Sequence, residues 1–490
     1  MAEGKKPTSG VEWRINVEDG SSRTLFPEAG PTCRLWVGLK GLMAGLVSNV
    51  WSFLVKAWEL GVDDPRKVIH CLKVGMALTV VSLFYYMRPL YEGVGGNAMW
   101  AIMTVVVVFE NTVGATVSKS LNRVFATTLA GFLAFGVHWV AGQSGEKLEP
   151  VIIGSSVFLL ASAATFSRFI PSVKQRFDYG AMIFILTFSL VTVSGYRVDK
   201  LFKLAQERVS TIIIGTSLCV LVTMLICPIW AGQELHFLII RNMEKLANSL
   251  EGCIMEYFNP DGDHTEGEKQ PDKKLLGYKC VLGSKAAEES MANFARWEPA
   301  HGRFNFKHPW QQYLKIGASM RSCAYYVEAL TSCIDSETQA PEQVKKHMSN
   351  NCRKVSSNSC SVIKELVKTM KTMKKSSTID LLVEEMNSTV QDLQNDLKHL
   401  SNAFNQPESP IPEDKKTETN TTTSAATTIP LIEVIPIVTF ASLLAEVAAR
   451  VQDIADAVEE LGKLAEFKVA DDEKPPQQNQ ADSRVVAGQV

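Results

Sequence analysis

The sequence predicts an all-α membrane protein, with six transmembrane helices per subunit followed by a cytosolic C-terminal helical bundle. Three observations carry the prediction. Six apolar runs of membrane-spanning length follow one another between Asp64 and Trp230, and basic residues stand at nearly every junction between them. After Trp230 the composition turns charged while helical periodicity persists. The averages conceal this division, because a mean hydropathy close to zero and a net charge of −2 blend an apolar first half with a polar second half.

Residues 1–34 are polar, with scattered charge and no apolar core behind a basic start. They read as a disordered cytosolic tail, not as a cleavable secretory signal. Residues 35–62 carry Trp36, Leu39, Leu42, Leu46, Val50, Trp51, Leu54 and Trp58, with Lys40 and Lys56 among them. Three tryptophans and two lysines suit an amphipathic helix lying in the membrane interface. A seventh span is the other reading.

The membrane domain is expected over residues 63–230. Its runs are Ile69–Met87, Ala98–Ala115, Val124–Ala141, Val151–Ser167, Tyr179–Tyr196 and Val209–Ile229. Each holds about 17 to 21 mostly apolar residues, and a helix rising about 1.5 Å per residue then covers a hydrocarbon core of about 30 Å. Soluble helices show polar residues at every second or third position, and these runs do not. Asp64-Pro65 is a start signal, an N-cap followed by a proline whose missing N–H would have had no partner. Glu149-Pro150 repeats it, Arg88-Pro89 closes the first run, Leu90–Asn97 is a short glycine-rich link, and Cys227-Pro228 stops the sixth run.

Orientation follows from lysine and arginine in the short connections. Arg66, Lys67, Lys119, Arg123, Arg168, Lys174, Arg176, Arg241 and Lys245 fall on one side of a six-span chain. The other side has Arg88, Lys147 between two glutamates, and Arg197, Lys200 and Lys203. The bias places both termini in the cytosol.

Residues 231–404 read as a cytosolic helical domain, in which Tyr313, Ile316, Met320, Cys323, Val327 and Leu330 recur three and four apart. Residues 429–468 read as one long helix with a heptad seam of Ile437, Phe440, Leu444, Val447, Val451, Ile454, Val458 and Leu461. Packing within one bundle and exchange with a second subunit fit that spacing equally. Residues 405–428 and 469–490, dense in proline, polar residues and charge, read as a disordered linker and tail. Both are places for phosphorylation, which makes a regulatory kinase an expected partner. Asn387-Ser-Thr and Asn420-Thr-Thr match the glycosylation pattern, but this topology puts them in the cytosol. The ten cysteines show no Cys-x-x-Cys pair or zinc spacing, so neither a metal nor a disulfide framework is expected.

No phosphate loop of the G-x-x-x-x-G-K-[ST] type and no nucleophile with base and orienting acid are found, which points away from ATP drive and from an enzyme. The informative residues are charges. Between Asp63 and Glu234, fourteen Lys and Arg face ten Asp and Glu. Lys73 lies in the first run, Lys119 and Arg123 stand between the second and third, and Arg208 leads the sixth. A cation near hydrocarbon survives by snorkelling, by pairing or by facing a wet cavity. An anion pore needs such fixed charge to replace the ion's hydration. Arg168, Lys174 and Arg176 read as headgroup anchors, whereas Lys119, Arg123, Arg208 and Lys73 are candidates for an anion path. Glu110, at the inner end of the second run, is expected to pair with Lys119 or Arg123; a proton-coupling role is the alternative. His70 and His138 read as packing or interfacial residues.

Several long motifs, in order, carry a resemblance. They are Asp64-Pro-Arg-Lys, Asn97-Ala-Met-Trp-Ala-Ile-Met-Thr-Val-Val-Val-Val-Phe-Glu110, Val113-Gly-Ala-Thr, Leu121-Asn-Arg123, Phe177-Asp-Tyr-Gly, Ile183-Phe-Ile-Leu-Thr-Phe and Cys227-Pro-Ile-Trp-Ala-Gly-Gln233. Trp297-Glu298-Pro299, His301-Gly-Arg-Phe and His308-Pro-Trp follow in the polar half. Over Asp63 to Leu330 the chain resembles the plant aluminium-activated malate transporters, a family of anion channels. The resemblance implies a homodimer, with a basic path between subunits lined by residues matching Arg123 and Arg208, and Trp297, Glu298 and Pro299 as a structural signature. Two subunits double each charge about a shared axis, which concentrates positive potential.

The long N-terminal extension and the pattern near Leu90–Gly96 look like the guard-cell, rapid-type branch, opened by voltage and malate. That branch implies the plasma membrane, with the vacuolar membrane as alternative. The outer links depart from aluminium-responsive relatives: one offers Glu92, and the other reads Arg197-Val-Asp199-Lys200-Leu-Phe-Lys203, whose lysines oppose a trivalent cation. Aluminium activation is therefore not expected. Three functions are weighed: a passive channel for malate and for chloride, sulfate or nitrate; a proton-coupled organic-acid exporter; and a membrane-tethered signalling scaffold. Expected partners are a second copy, these anions and the lipid bilayer, not nucleic acid, and no cofactor is expected.

Overall fold

The computed structural model describes residues 14–16, 22–24, 31–86, 98–145, 147–195, 201–259, 275–336, 340–404 and 431–469. The glycine-rich link after Arg88, the outer link after Arg197, the linker 405–428 and the tail beyond Val469 lie outside them. The chain divides into two compact units, Met1–Leu72 and Lys73–Val490.

In the first unit, β1 (Arg14–Asn16) pairs antiparallel with β2 (Ser22–Thr24), with Arg14 opposite Thr24. Local pairing of this kind was not expected of residues 1–34. Helix α1 runs from Pro31 to Asp63, four residues further back than the tryptophan-rich stretch suggested. Along it Met43, Val47, Val50, Trp51, Phe53, Leu54 and Trp58 are all exposed, an apolar surface wrapped round the helix. Helix α2 (Pro65–Tyr86) starts on Pro65, as the Asp64-Pro65 signal predicts, and continues into the second unit.

The second unit holds α3 (Ala98–Val108), α4 (Val113–Gln143), α5 (Glu149–Ser167), α6 (Pro171–Gly195) and α7 (Leu201–Leu225). Among the described residues, α4, α5, α6 and the Arg208–Leu225 part of α7 are long and apolar enough to cross a membrane. Helix α3 has 11 residues, shorter than a span by itself. The second and third apolar runs are divided differently from the sequence reading. The helix stops after Val108 and restarts at Val113, because the Thr112 hydroxyl accepts the Ala115 N–H as an N-cap. Lys119 and Arg123 therefore lie inside α4, not in a turn between spans.

Small residues let these helices approach. Ala77 and Val81 of α2, Ala101 and Val105 of α3, and Cys219 and Val222 of α7 form one buried cluster. Ala130 and Ala134 of α4 with Phe188 and Val191 of α6 form another. A Cβ on Gly215 of α7 would stand 3.0 Å from Thr104 Cβ, so α3 and α7 need glycine there.

The polar half comprises α8 (Ala231–Phe258), α9 (Gly277–Leu282), α10 (Lys285–Ala295), α11 (Trp310–Ile334), α12 (Glu342–Thr372), β3 (Lys374–Lys375), α13 (Ile379–Phe404), α14 (Leu431–Leu464) and β4 (Lys468–Val469). These helices share one apolar core, and β3 pairs parallel with β4. The six seam positions of α11 and the eight of α14 are at most 1% exposed, and α14 packs on α11, α12 and α13 of its own chain. By length and composition alone Glu433–Leu464 would also qualify as a span, but its apolar seam is consumed in this core. Tyr257 stacks on Phe440 with ring centroids 3.8 Å apart.

Candidate functional site

The four candidate cations have different surroundings. Lys73 is 2% exposed, and its Nζ donates to the carbonyl of Cys227 at 2.8 Å. Cys227 has φ +40 just beyond the end of α7, where carbonyls lack helical partners. The ammonium therefore neutralises the negative end of α7 and ties α2 to it. Lys119 forms an ion pair with Glu110, and its ammonium also sits 5.6 Å from the centroid of the Tyr179 ring. The helix break at residues 109–112 turns Glu110 back toward the second turn of α4.

Arg123 follows Lys119 by one helical turn, so both side chains share a face. Arg123 is 6% exposed, and its Nη1 donates to the Tyr179 hydroxyl at 3.0 Å. Arg208, near the start of the apolar part of α7, lies over the Trp100 ring with its guanidinium carbon 3.9 Å from the centroid. The two guanidiniums are close enough for their charges to act on one another. The Nε of each is buried without a hydrogen-bond partner, and no described carboxylate pairs with either. A buried Arg123 and a half-buried Arg208, held by an aromatic hydroxyl and an aromatic face, keep a demand for a negative partner. Trp100 and Tyr179 were not singled out from the sequence. Their only sequence signal is that each aromatic stands at the end of an apolar run.

The remaining basic residues of this region do not join the cluster. Arg168 makes a two-pronged bond to Asp178, at 2.7 and 3.3 Å, clipping the end of α5 to α6. Asn122 donates to the Arg176 carbonyl at 3.1 Å, and His138 pairs its Nε2 with the Thr192 carbonyl at 2.9 Å.

The Trp297-Glu298-Pro299 signature meets the membrane helices directly. The Val113 N–H donates to the Ile229 carbonyl at 2.9 Å, so α4 and α8 begin side by side. Both present unsatisfied N–H groups and the positive ends of their dipoles. Glu298, 3% exposed, answers both: Oε1 accepts Gly114 N at 3.1 Å and Ala231 N at 2.6 Å, and Oε2 accepts Gly232 N at 3.1 Å. Gly114 is required, since a Cβ there would come within 2.3 Å of the Phe294 carbonyl oxygen. Burial pushes the Glu298 carboxyl up to about 7, against the three N–H groups, which pull it down. Trp297 lines two cavities beside α4 and α6, and the Pro299 carbonyl pairs with His301 Nδ1 at 2.9 Å. His301 in turn stacks on Trp230, centroids 3.8 Å apart. Below it, His236 and His308 both contact the Tyr313 hydroxyl, at 3.0 and 3.2 Å, and burial pushes each imidazole down to about 4.

Successive apolar helices that bury charge only where another group meets it define a multi-pass helical membrane protein. The chain belongs to the aluminium-activated malate transporter family, whose model matches residues 58–409 and 397–462. It is 56% identical over 474 residues to aluminum-activated malate transporter 10 of Arabidopsis thaliana, covering 94% of this chain and 95% of that protein. Aluminum-activated malate transporter 1 of Triticum aestivum is 39% identical over 447 residues, covering 89% and 90%. Aluminum-activated malate transporter 12 of Arabidopsis thaliana is 39% identical over 383 residues, covering 76% and 68%.

Proposed function

We propose that the protein is a passive channel for malate and inorganic anions, with Arg123 and Arg208 as the fixed charges of its path. One observation carries this reading: two neighbouring guanidiniums, that of Arg123 buried and that of Arg208 half-buried, whose Nε groups are unpartnered and which no described carboxylate pairs. Such a pair favours a transient anion and binds it without a covalent or proton-transfer step. The names of the relatives supply malate as the substrate. Lys119, committed to Glu110, orders the inner end of α4, and Lys73 serves the end of α7. A homodimer places two copies of the cluster about one axis, with six helices per subunit, a cytosolic C-terminal bundle and both termini in the cytosol. Regulation by voltage and malate, a guard-cell plasma-membrane setting and control by a kinase extend the reading, and rest on the long N-terminal segment and the serine- and threonine-rich linker.

The test is current through the purified protein in planar bilayers. Arg123→Ala and Arg208→Ala are each expected to cut malate and chloride conductance about tenfold or more, as loss of one hydrogen bond to a charged partner implies. The reversal potential is expected to follow the anion gradient alone. Unchanged conductance in both variants ends the reading, and a reversal potential that moves with a proton gradient favours coupled export through Glu110.

A further inference from the structure

Beside the cluster, and independent of it, two cavities meet where the membrane helices join the polar half. The first, about 290 Å³, is walled by Ser118 of α4, Gln175 and Arg176 of α6, and Asn293 and Arg296 at the end of α10. Every polar side chain named there is neutral or cationic. No described carboxylate bonds Arg176 or Arg296; Arg176 is exposed and Arg296 half-buried, and both line the space. Partial burial first, and then the Arg176 charge, pull Arg296 below its usual range.

The second cavity, about 480 Å³, is an open groove between α4, α5 and α6. Its walls are almost wholly apolar, and Phe125 and Leu129, 70% and 54% exposed, stand along it. Phe177 and Trp297 belong to both cavities, so a cationic chamber adjoins an apolar groove. A ligand filling both needs an anionic head and a hydrocarbon tail. Free anions match only the first cavity, and neutral lipids offer its two cations no counter-charge.

We propose that an anionic phospholipid with a phosphorylated headgroup occupies this pair of cavities, its phosphate between Arg176 and Arg296 and one acyl chain along the groove. Guanidinium forks match phosphate oxygens in geometry and charge. The lipid would bridge α4, which carries Lys119 and Arg123, to the segment that ends in Glu298, so its occupancy can bias how the two halves seat against each other.

The experiment is native mass spectrometry of the full chain, released from phosphatidylcholine nanodiscs with and without phosphatidic acid. Phosphatidic acid is expected to be retained in preference to phosphatidylcholine. Arg176→Gln with Arg296→Gln is expected to weaken retention at least about tenfold, whereas lysine at both positions keeps most of it. Ala181→Phe, which fills the groove, is expected to weaken lipid retention and leave glycerol 3-phosphate binding unchanged. Equal retention of phosphatidic acid by a folded double-glutamine variant overturns the proposal. So does displacement of the lipid by equimolar glycerol 3-phosphate together with an unaffected Ala181→Phe variant, which would mark a site for soluble anions. If the double-glutamine variant fails to fold, the Ala181→Phe and competition arms decide alone.

Discussion

Glu298→Gln separates two opposed effects at the joint between α4 and α8. The carboxyl is 3% exposed, and burial raises it from an ordinary 4.5 to about 7 even though three backbone N–H groups favour its anion. An acid raised in the folded state holds a proton that the unfolded chain has already released between those values. Stability is therefore greatest below about pH 4.5, falls as pH rises through about 7, and is level above that. At about 1.36 kcal/mol per unit the loss is on the order of 3 kcal/mol. Glutamine mimics the protonated acid, keeping an acceptor toward Gly114 and Ala231 while turning an N–H₂ toward Gly232. It is expected to match the parent, or fall about 1 to 3 kcal/mol below it, near pH 5, to gain on it up to about pH 7, and to hold that gain at pH 8. Tryptophan-fluorescence melting of both proteins in one detergent across that range reads the difference, expected to move by roughly 5 °C in the variant's favour. A difference that is flat, or that runs in the parent's favour as pH rises, refutes the reasoning: the two helix dipoles would then outweigh burial, and Glu298 would be a permanently ionised cap.

Tyr179→Phe deletes the acceptor 3.0 Å from Arg123 Nη1 and is expected to lower conductance by up to about tenfold, less than Arg123→Ala does; an equal or larger loss in bilayer recordings would put the hydroxyl itself in the path. Arg321→Gln leaves the Glu288 carboxylate, fully buried and held at 2.5 Å, with only Ser284 as a polar partner, at a cost of about 3 to 5 kcal/mol, seen as a lower melting temperature and protease sensitivity of α10–α11. Phe440→Ala removes the ring stacked on Tyr257 and opens a cavity worth about 3 to 5 kcal/mol; denaturant titration showing less than about 1 kcal/mol would mean that α14 is not the keystone of that core.

What the sequence made legible is what helices must bury. The seams of α11 and α14 could be read residue by residue because water removes apolar side chains at a fixed angular spacing, whatever they pack against. The helix break at 109–112 was invisible to the same logic, since Phe109 continues the apolar run and only the Thr112 hydroxyl, bonded to Ala115 N, ends one helix and starts the next. That one cap moves Lys119 and Arg123 from a turn into α4. Trp100 and Tyr179 were missed for a second reason: Tyr179 meets Arg123 across 56 residues, and periodicity carries no information about which faces of different helices oppose each other.

Glu298 shows how far the argument can go once contacts are known. Its N–H partners lie 184, 67 and 66 residues away, so the motif could be recognised but not explained from its own neighbourhood. The bond from Val113 N to the Ile229 carbonyl sets two helix N-termini together, and aligned dipoles repel when their positive ends meet. Thr112 caps Ala115 alone, and Trp230 supplies no side-chain acceptor to α8. A side-chain acceptor had to arrive from elsewhere in the chain, and it had to be longer than a local cap to reach both ends at once. With Gly114 clearing its approach and Gly232 making room for the Trp310 ring, a glutamate on a turn fixed by proline satisfies those requirements, and it makes the seating of the polar half a condition for α4 to begin where it does.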